Sequence, residues 1–346
     1  MDRRIDLRSD TVTRPTPAMR RAMAEAEVGD DVFREDPTVR RLEEMAAERL
    51  GKPAALFVPS GVMGNQIAVK VWTRPGQEVI LEERSHIFNY EMAMMAAFSG
   101  VLARPLAGRQ GGLGAEDVRR ALRPPVYYVA QTGLVSLENT HNMAGGLLLP
   151  SADAEAVCAL ARERGIPTHL DGARIFNAAV ALGCPAGELT RPFDSVMTCL
   201  SKGLGAPVGS VIAGPADFIE EALRVRKRMG GGMRQAGVLA AAGIVALTDH
   251  VDRLAEDHAV ARRLAARIGA IRGLAIDPGR VQTNIVIFDV LHPGLTASRV
   301  EELWRAAGVL SLVVEERQVR AVTHYDVGPE EIDAAADRLA AIVSEA

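Results

Sequence analysis

The 346 residues, 48% of them hydrophobic, are enough for a large buried core and for division into a big and a small domain. A net charge of −4, mixed in sign along the chain, argues against a nucleic-acid surface, and an aromatic content of 4% leaves little for base stacking. Cys158, Cys184 and Cys199 leave an odd one over and show no CxxC spacing, which excludes a disulfide framework and a zinc knuckle.

The N-terminus lacks the apolar stretch of a signal peptide, and the longest apolar run, around Val238 to Leu247, is too short for a bilayer. A soluble cytoplasmic protein is expected. The first thirty residues, rich in Arg, Asp and Pro, cannot make a core alone and are expected to pack on the large domain or on a neighbouring subunit.

From about Lys52 to Gly214, within a large domain expected over 31–245, short apolar runs alternate with helical patterns. Strands are predicted at Ala54 to Val58, Glu78 to Leu81, Val126 to Val129, Pro167 to Asp171, Ser195 to Cys199 and Gly209 to Ala213. Helices are predicted at Asn65 to Trp72, Asn89 to Phe98, Ala115 to Leu122 and Ala152 to Arg164. That rhythm gives an α/β domain with a mainly parallel sheet flanked by helices. One Ala-rich helical stretch, Gln235 through Ile271, leads into a small α/β domain spanning 246–346. There the pattern reads strand Thr283 to Val290, helix Arg299 to Ala307, strand Val319 to Thr323 and a final helix. Ser298 with Glu301 forms a capping-box signature, and Pro329 suits a first helical position.

Lysines are few: Lys52, Lys70, Lys202 and Lys227. Lys202, in Ser201-Lys202-Gly203-Leu204-Gly205, follows a predicted buried strand and so sits at the carboxyl edge of the sheet, where open α/β folds keep ligands. Asp171 ends the strand about one crossover earlier and reaches the same edge. An aldehyde cofactor with a pyridine ring needs this pair, an amine for the aldehyde carbon and a carboxylate for the ring nitrogen. The alternatives are a solvated loop lysine and a turn-capping aspartate. His169 lies two residues from Asp171, but no third or fourth metal ligand stands at a sensible spacing, so no metal is expected.

Ser60-Gly61-Val62 follows a strand and opens a helix, where backbone amides and a hydroxyl can receive a phosphate, although Ser-Gly is also ordinary turn chemistry. His86 begins a helix at the same edge, where an imidazole can stack on a ring or move protons. Arg174, Arg234 and Arg320 stand in strand-end or Gly-rich segments suited to carboxylate or phosphate pairing. The glycines after Lys202 miss the dinucleotide spacing and precede a strand, against a nicotinamide site.

Seven motifs occur in order: Leu7 to Thr13 (LRSDTVT), Gly29 to Val32 (GDDV), Ser136 to Asn142 (SLENTHN), Asp171 to Asn177 (DGARIFN), Ser201 to Gly205 (SKGLG), Gly230 to Gln235 (GGGMRQ) and Val322 to His324 (VTH). With these the chain resembles the low-specificity L-threonine aldolases, a branch of the fold-type I pyridoxal-phosphate enzymes related to the β-eliminating lyases, over nearly its whole length. The resemblance implies pyridoxal 5'-phosphate held as a Schiff base by Lys202, with Asp171 on the pyridine nitrogen and His86 stacked over the ring. It implies a phosphate site of Ser60, Gly61 and the Val62 amide, adjoined by Ser201 and completed by Arg234 from an adjacent subunit of a homotetramer. Ser9, Arg174 and Arg320 become the substrate-carboxylate clamp.

The implied reaction is cleavage of L-β-hydroxy-α-amino acids to glycine and an aldehyde, with His86 as candidate base. β-Elimination, racemisation and transamination share the same Lys202 and Asp171. Two positions depart from the family's usual pattern: Phe33 stands where a tyrosine is usual and Tyr128 where a histidine is. Both bear on the substrate pocket, and Tyr128 is expected to orient the β-hydroxyl, since a phenol with a pKa near 10 is a poor resting base.

Overall fold

A computed structural model of the chain describes residues 4–346. Its main sheet has seven strands, in the order Ala54–Val58, Ser210–Gly214, Ser195–Cys199, Thr168–Asp171, Thr132–Glu138, Glu78–Glu82 and Leu102–Leu106. All run parallel except Ser210–Gly214, which is antiparallel to both neighbours. Helices cover both faces, so central strands are buried on both sides rather than alternating: Val79, Ile80 and Leu81 are all fully buried, and so are the polar His169 and Ser195.

Because the strands run parallel, their carboxyl ends share one edge. The loops leaving Val58, Glu82, Glu138, Asp171 and Cys199 therefore converge there, although they are spread along the sequence from Val58 to Cys199. A second core surrounds an antiparallel sheet of four strands, Leu312–Glu315, Gln318–Val322, Ile285–Val290 and Leu274–Ala275. Helices Leu254–Gly269, Ala297–Ala306 and Pro329–Ser344 pack on it around Phe288 and Trp304. Among the described residues no helix is long and apolar enough to cross a membrane.

The N-terminal segment links the two parts. Ile5 and Asp6 pair in parallel with Val309 and Leu310, and Ile5 and Leu7 are buried in the C-terminal core. A few residues on, Thr13 Oγ1 donates to the Lys202 carbonyl at 3.1 Å, within the large sheet's edge loops.

Several sequence expectations are corrected. Val126 to Val129 is not a strand: it follows Pro124-Pro125, and the Gln131 side-chain amide donates to the carbonyls of Pro124 and Val129, closing a turn that exposes Tyr127 and Tyr128. The strand is Thr132–Glu138, and the edge strand Leu102–Leu106 was not anticipated. The helix expected from Asn89 to Phe98 is broken, because Met92 and Ala93 take left-handed backbone at φ 53° and 54°. The Ala-rich stretch is two helices, Gly237–Asp249 and Leu254–Gly269. Thr296, not Ser298, caps Ala297–Ala306, its side chain accepting from the Arg299 N–H at 3.2 Å.

Candidate active site

At the sheet edge a cavity of about 290 Å³ is lined by Ser60, Gly61, Val62, His86, Asp171, Ser201 and Lys202, among others. Seven of the residues expected from sequence thus share one pocket. Ser60 caps the helix Gly61–Trp72, its side chain accepting from the Met63 N–H at 3.2 Å. The first amides of that helix have no intrahelical acceptor and open onto the pocket wall. Gly61 is required there: a Cβ would lie 2.8 Å from Cys199 Sγ.

Asp171 is 2% exposed. Its Oδ2 accepts from Asn65 Nδ2 at 2.8 Å and its Oδ1 from the Ala173 N–H at 3.1 Å, both neutral donors. No cation of the described residues forms a close ion pair with it, so a buried carboxylate faces the cavity supported only by dipoles. Lys202 follows the strand Ser195–Cys199 and is half-buried in the same pocket. The remaining lysines lie elsewhere. Lys52 Nζ donates to the Phe193 carbonyl, Lys70 Nζ to that of Phe98 at 3.3 Å, and Lys227 is exposed on the helix Ala216–Arg228.

His86 is fixed twice. Its backbone N–H donates to Glu138 Oε2 at 2.7 Å, and its Nδ1 lies 3.0 Å from Glu91 Oε1. Burial disfavours the imidazolium, but the Glu91 hydrogen bond and the Asp171 and Glu91 charges outweigh it, so the His86 pKa stands above its ordinary value. His86, Glu91 and Asp171 place one ligand atom each within 4.8 Å of one another. The carboxylate oxygens are, however, taken up by Asn65, Gln66 and the Ala173 amide rather than left open for an ion.

Beside the pocket lies an arginine pair. Buried Arg174 grips Asp10 with two hydrogen bonds, Nε at 2.8 Å and Nη2 at 2.7 Å. Burial pushes the Asp10 carboxyl up, but Arg174, Lys202 and the Asn284 amide hold it well below the usual carboxylate range. Arg320, 8% exposed, has no carboxylate partner. Its Nη1 donates to Asn142 Oδ1 at 3.0 Å, Nη2 reaches the Arg8 carbonyl at 3.4 Å, and Nε is buried without an acceptor. Burial and the neighbouring Arg174 depress its pKa. Asn142 Oδ1 also lies 3.5 Å from Arg174 Nη1, so two guanidinium groups converge on one neutral oxygen. Ser9 stands alongside, its Oγ 3.5 Å from Asp10 Oδ1.

Six expected residues do not line this pocket: Ser9, Arg174 and Arg320, which form the neighbouring group just described, and Arg234, Phe33 and Tyr128. Arg234 is paired with Asp30 at 2.8 Å with its side chain largely exposed, and Phe33, at the end of the short 3-10 helix Asp31–Phe33, and Tyr128 are exposed. Conversely, Asn65, Glu91, Asp10 and Asn142 belong to the site without having been assigned roles from sequence. For Asn65 a signal existed, since Asn65-Gln66 is a buried polar pair in a helix whose only charged residue is Lys70.

The β-eliminating lyase family model matches residues 6–291. The chain is 45% identical over 330 residues to low-specificity L-threonine aldolase 1 of Arabidopsis thaliana, covering 94% of this chain and 92% of that one. It is 44% identical over 329 residues to the low specificity L-threonine aldolase of Escherichia coli K12, covering 95% and 96%. The solved structure of Leishmania major threonine aldolase superposes with a TM-score of 0.83 at 22% identity, covering 98% and 99%, which shows a shared fold-type I architecture. The sheet-edge pocket, the family match and these relatives together place the chain in the β-eliminating lyase family, among the lyases of the low-specificity L-threonine aldolase type.

Proposed function

We propose that this chain is a pyridoxal 5'-phosphate-dependent aldolase that cleaves L-β-hydroxy-α-amino acids, threonine and allo-threonine among them, to glycine and an aldehyde. One observation carries the reading: Lys202 shares a small pocket with Asp171, a buried carboxylate that has hydrogen bonds but no protein cation. A buried anion in that state calls for a charged partner, and a protonated ring nitrogen supplies it. The pocket suits the rest of the cofactor too, with free amides at the start of the helix Gly61–Trp72 for a phosphate, held against the strand by the close packing of Gly61 on Cys199.

When bound, the cofactor offers an aldehyde to an amine and a protonated ring that accepts the electron pair of a breaking Cα bond. The protein's own groups do the rest. Lys202 contributes the amine, Asp171 keeps the proton on the ring nitrogen, and Ser60, Gly61, Val62 and Ser201 hold the phosphate end. Arg320 and Arg174, with Ser9, bind the substrate carboxylate, which replaces the neutral Asn142 oxygen as their acceptor and thereby orients the Cα–Cβ bond. His86 Nε2 takes the β-hydroxyl proton. In the proposed assembly, a homotetramer in the cytoplasm, Arg234 serves a neighbouring subunit's phosphate, and Tyr128 and Phe33 contribute to substrate choice.

The test is product analysis on the purified protein loaded with cofactor. The reading expects a visible absorbance band, a borohydride-stable adduct mapping to Lys202, and glycine with acetaldehyde from threonine. 2-Oxobutanoate with ammonia from threonine would assign β-elimination instead, and a colourless, unlabelled protein would refute cofactor dependence. Tyr128→Phe is expected to change the threonine to allo-threonine ratio in kcat/KM, and an unchanged ratio removes Tyr128 from the site.

A further inference from the structure

Behind the pocket runs a hydrogen-bond chain whose direction can be read from its ends. An indole N–H can only donate, so Trp72 Nε1 gives its proton to Ser195 Oγ at 2.9 Å. Ser195 then donates to His169 Nδ1 at 3.0 Å, and His169 Nε2 donates to Asn65 Oδ1 at 3.0 Å. This needs a neutral His169, and burial lowers its pKa to about 4. With its oxygen so engaged, Asn65 must turn its NH₂ group outward, and both hydrogens find carboxylates at 2.8 Å, one on Glu91 and one on Asp171.

Glu91 therefore receives Asn65 Nδ2, Gln66 Nε2 at 2.6 Å and the His86 ring, three donors and nothing to donate to. That is the surrounding of an ionised carboxylate, even though burial and the nearby Asp171 push its pKa up. The backbone is bent to reach this arrangement. Glu91 is 1% exposed while Met92, directly after it, is 90% exposed, and Met92 and Ala93 both adopt left-handed backbone that non-glycine residues rarely take. That turn carries Glu91 inward to its three donors and leaves Met92 outward.

We propose that Glu91 is a positioning residue that fixes the His86 tautomer, taking the proton of Nδ1 so that Nε2 presents its lone pair to the pocket. The proposal rests on the reading that His86 accepts the β-hydroxyl proton. The charges acting on His86 are the carboxylates Glu91 and Asp171, which favour its imidazolium, and Lys202, which opposes it, and Glu91 is the one in direct contact.

The decisive measurement uses isotope-labelled histidine in the cofactor-free protein, so that it does not depend on turnover. With seven histidines in the chain, His86→Asn assigns the signal. The wild type should show the Nδ1–H tautomer when neutral, and Glu91→Gln should move the His86 titration down by about one pH unit. In the loaded enzyme the acid limb of kcat/KM should move the same way, because a less basic His86 stays unprotonated to lower pH. A Glu91→Gln protein with a native thermal midpoint and an unmoved His86 titration overturns the proposal. Should that variant fail to fold, Glu91→Asp decides: withdrawing the carboxylate by one methylene should give mixed tautomers and a lower kcat at similar KM, and a single unchanged tautomer overturns it. A wild type that cleaves no threonine sinks the aldolase reading separately, since the histidine titration is read without substrate.

Discussion

Arg174 and Arg320 look equivalent in sequence, yet the structure gives them opposite thermodynamic roles. Arg174 neutralises Asp10 in a buried, bidentate pair, so Arg174→Leu should strand that carboxylate and cost about 3–5 kcal/mol, seen as a large drop in thermal midpoint. Arg320 is buried without a carboxylate, so its cation is a liability until an anion arrives. Arg320→Leu should leave the midpoint unchanged or raise it while increasing KM for the amino acid about 10²-fold or more. A fall in stability equal to that of Arg174→Leu would show that Arg320 is structural. At Asp171, the isosteric Asp171→Asn removes the charge but keeps the shape. It should cut kcat by about 10²-fold or more with little change in the midpoint, as expected for loss of one preorganised electrostatic partner.

Element boundaries were legible wherever burial and sequence period agreed. Ala54–Val58 and Ser195–Cys199 appear where their short, mostly apolar runs predict, because strands covered on both faces are rich in apolar residues. Lys202 and Asp171 were legible for the same reason, since each ends such a run. What failed had a local competitor. The Val126 to Val129 run has strand composition, but two prolines and the Gln131 side chain close it into a turn. Ser298 had a cap's spacing, but Thr296 occupies the extended backbone a cap requires. Thr296→Ala should thus cost about 1 kcal/mol in urea unfolding and Ser298→Ala close to nothing, and the reverse order would restore the sequence reading. Glu91 and Asn65 could not be assigned from sequence because their partners, His86, Asp171 and His169, meet them only through the crossover topology. Their roles lie in tertiary geometry.

At the scale of the whole molecule, Asp10 ties three parts together: it sits on the N-terminal segment, pairs with Arg174 of the large domain and accepts from Asn284 of the C-terminal part at 3.1 Å. Two buried histidines set how this assembly responds to acid. His169 and His258 both have pKa values lowered to about 4 by burial, so the unfolded chain binds protons near pH 6.5 that the folded chain refuses. Their contribution is complete above pH 6.5 and drains away as pH falls toward 4. The stability gap between wild type and His258→Gln should therefore shift by about 3 kcal/mol in favour of the variant over that interval, and a constant gap would contradict the buried neutral state. The scarcity of amines has a further consequence. An enzyme that releases aldehydes bathes itself in an electrophile, and here Lys52 and Lys70 have their ammonium groups tied to backbone carbonyls while Lys227 alone among the side-chain amines is exposed. Under prolonged turnover, mass mapping of side chains should find product adducts gathering first on Lys227, near the C-terminal end of the helix Ala216–Arg228.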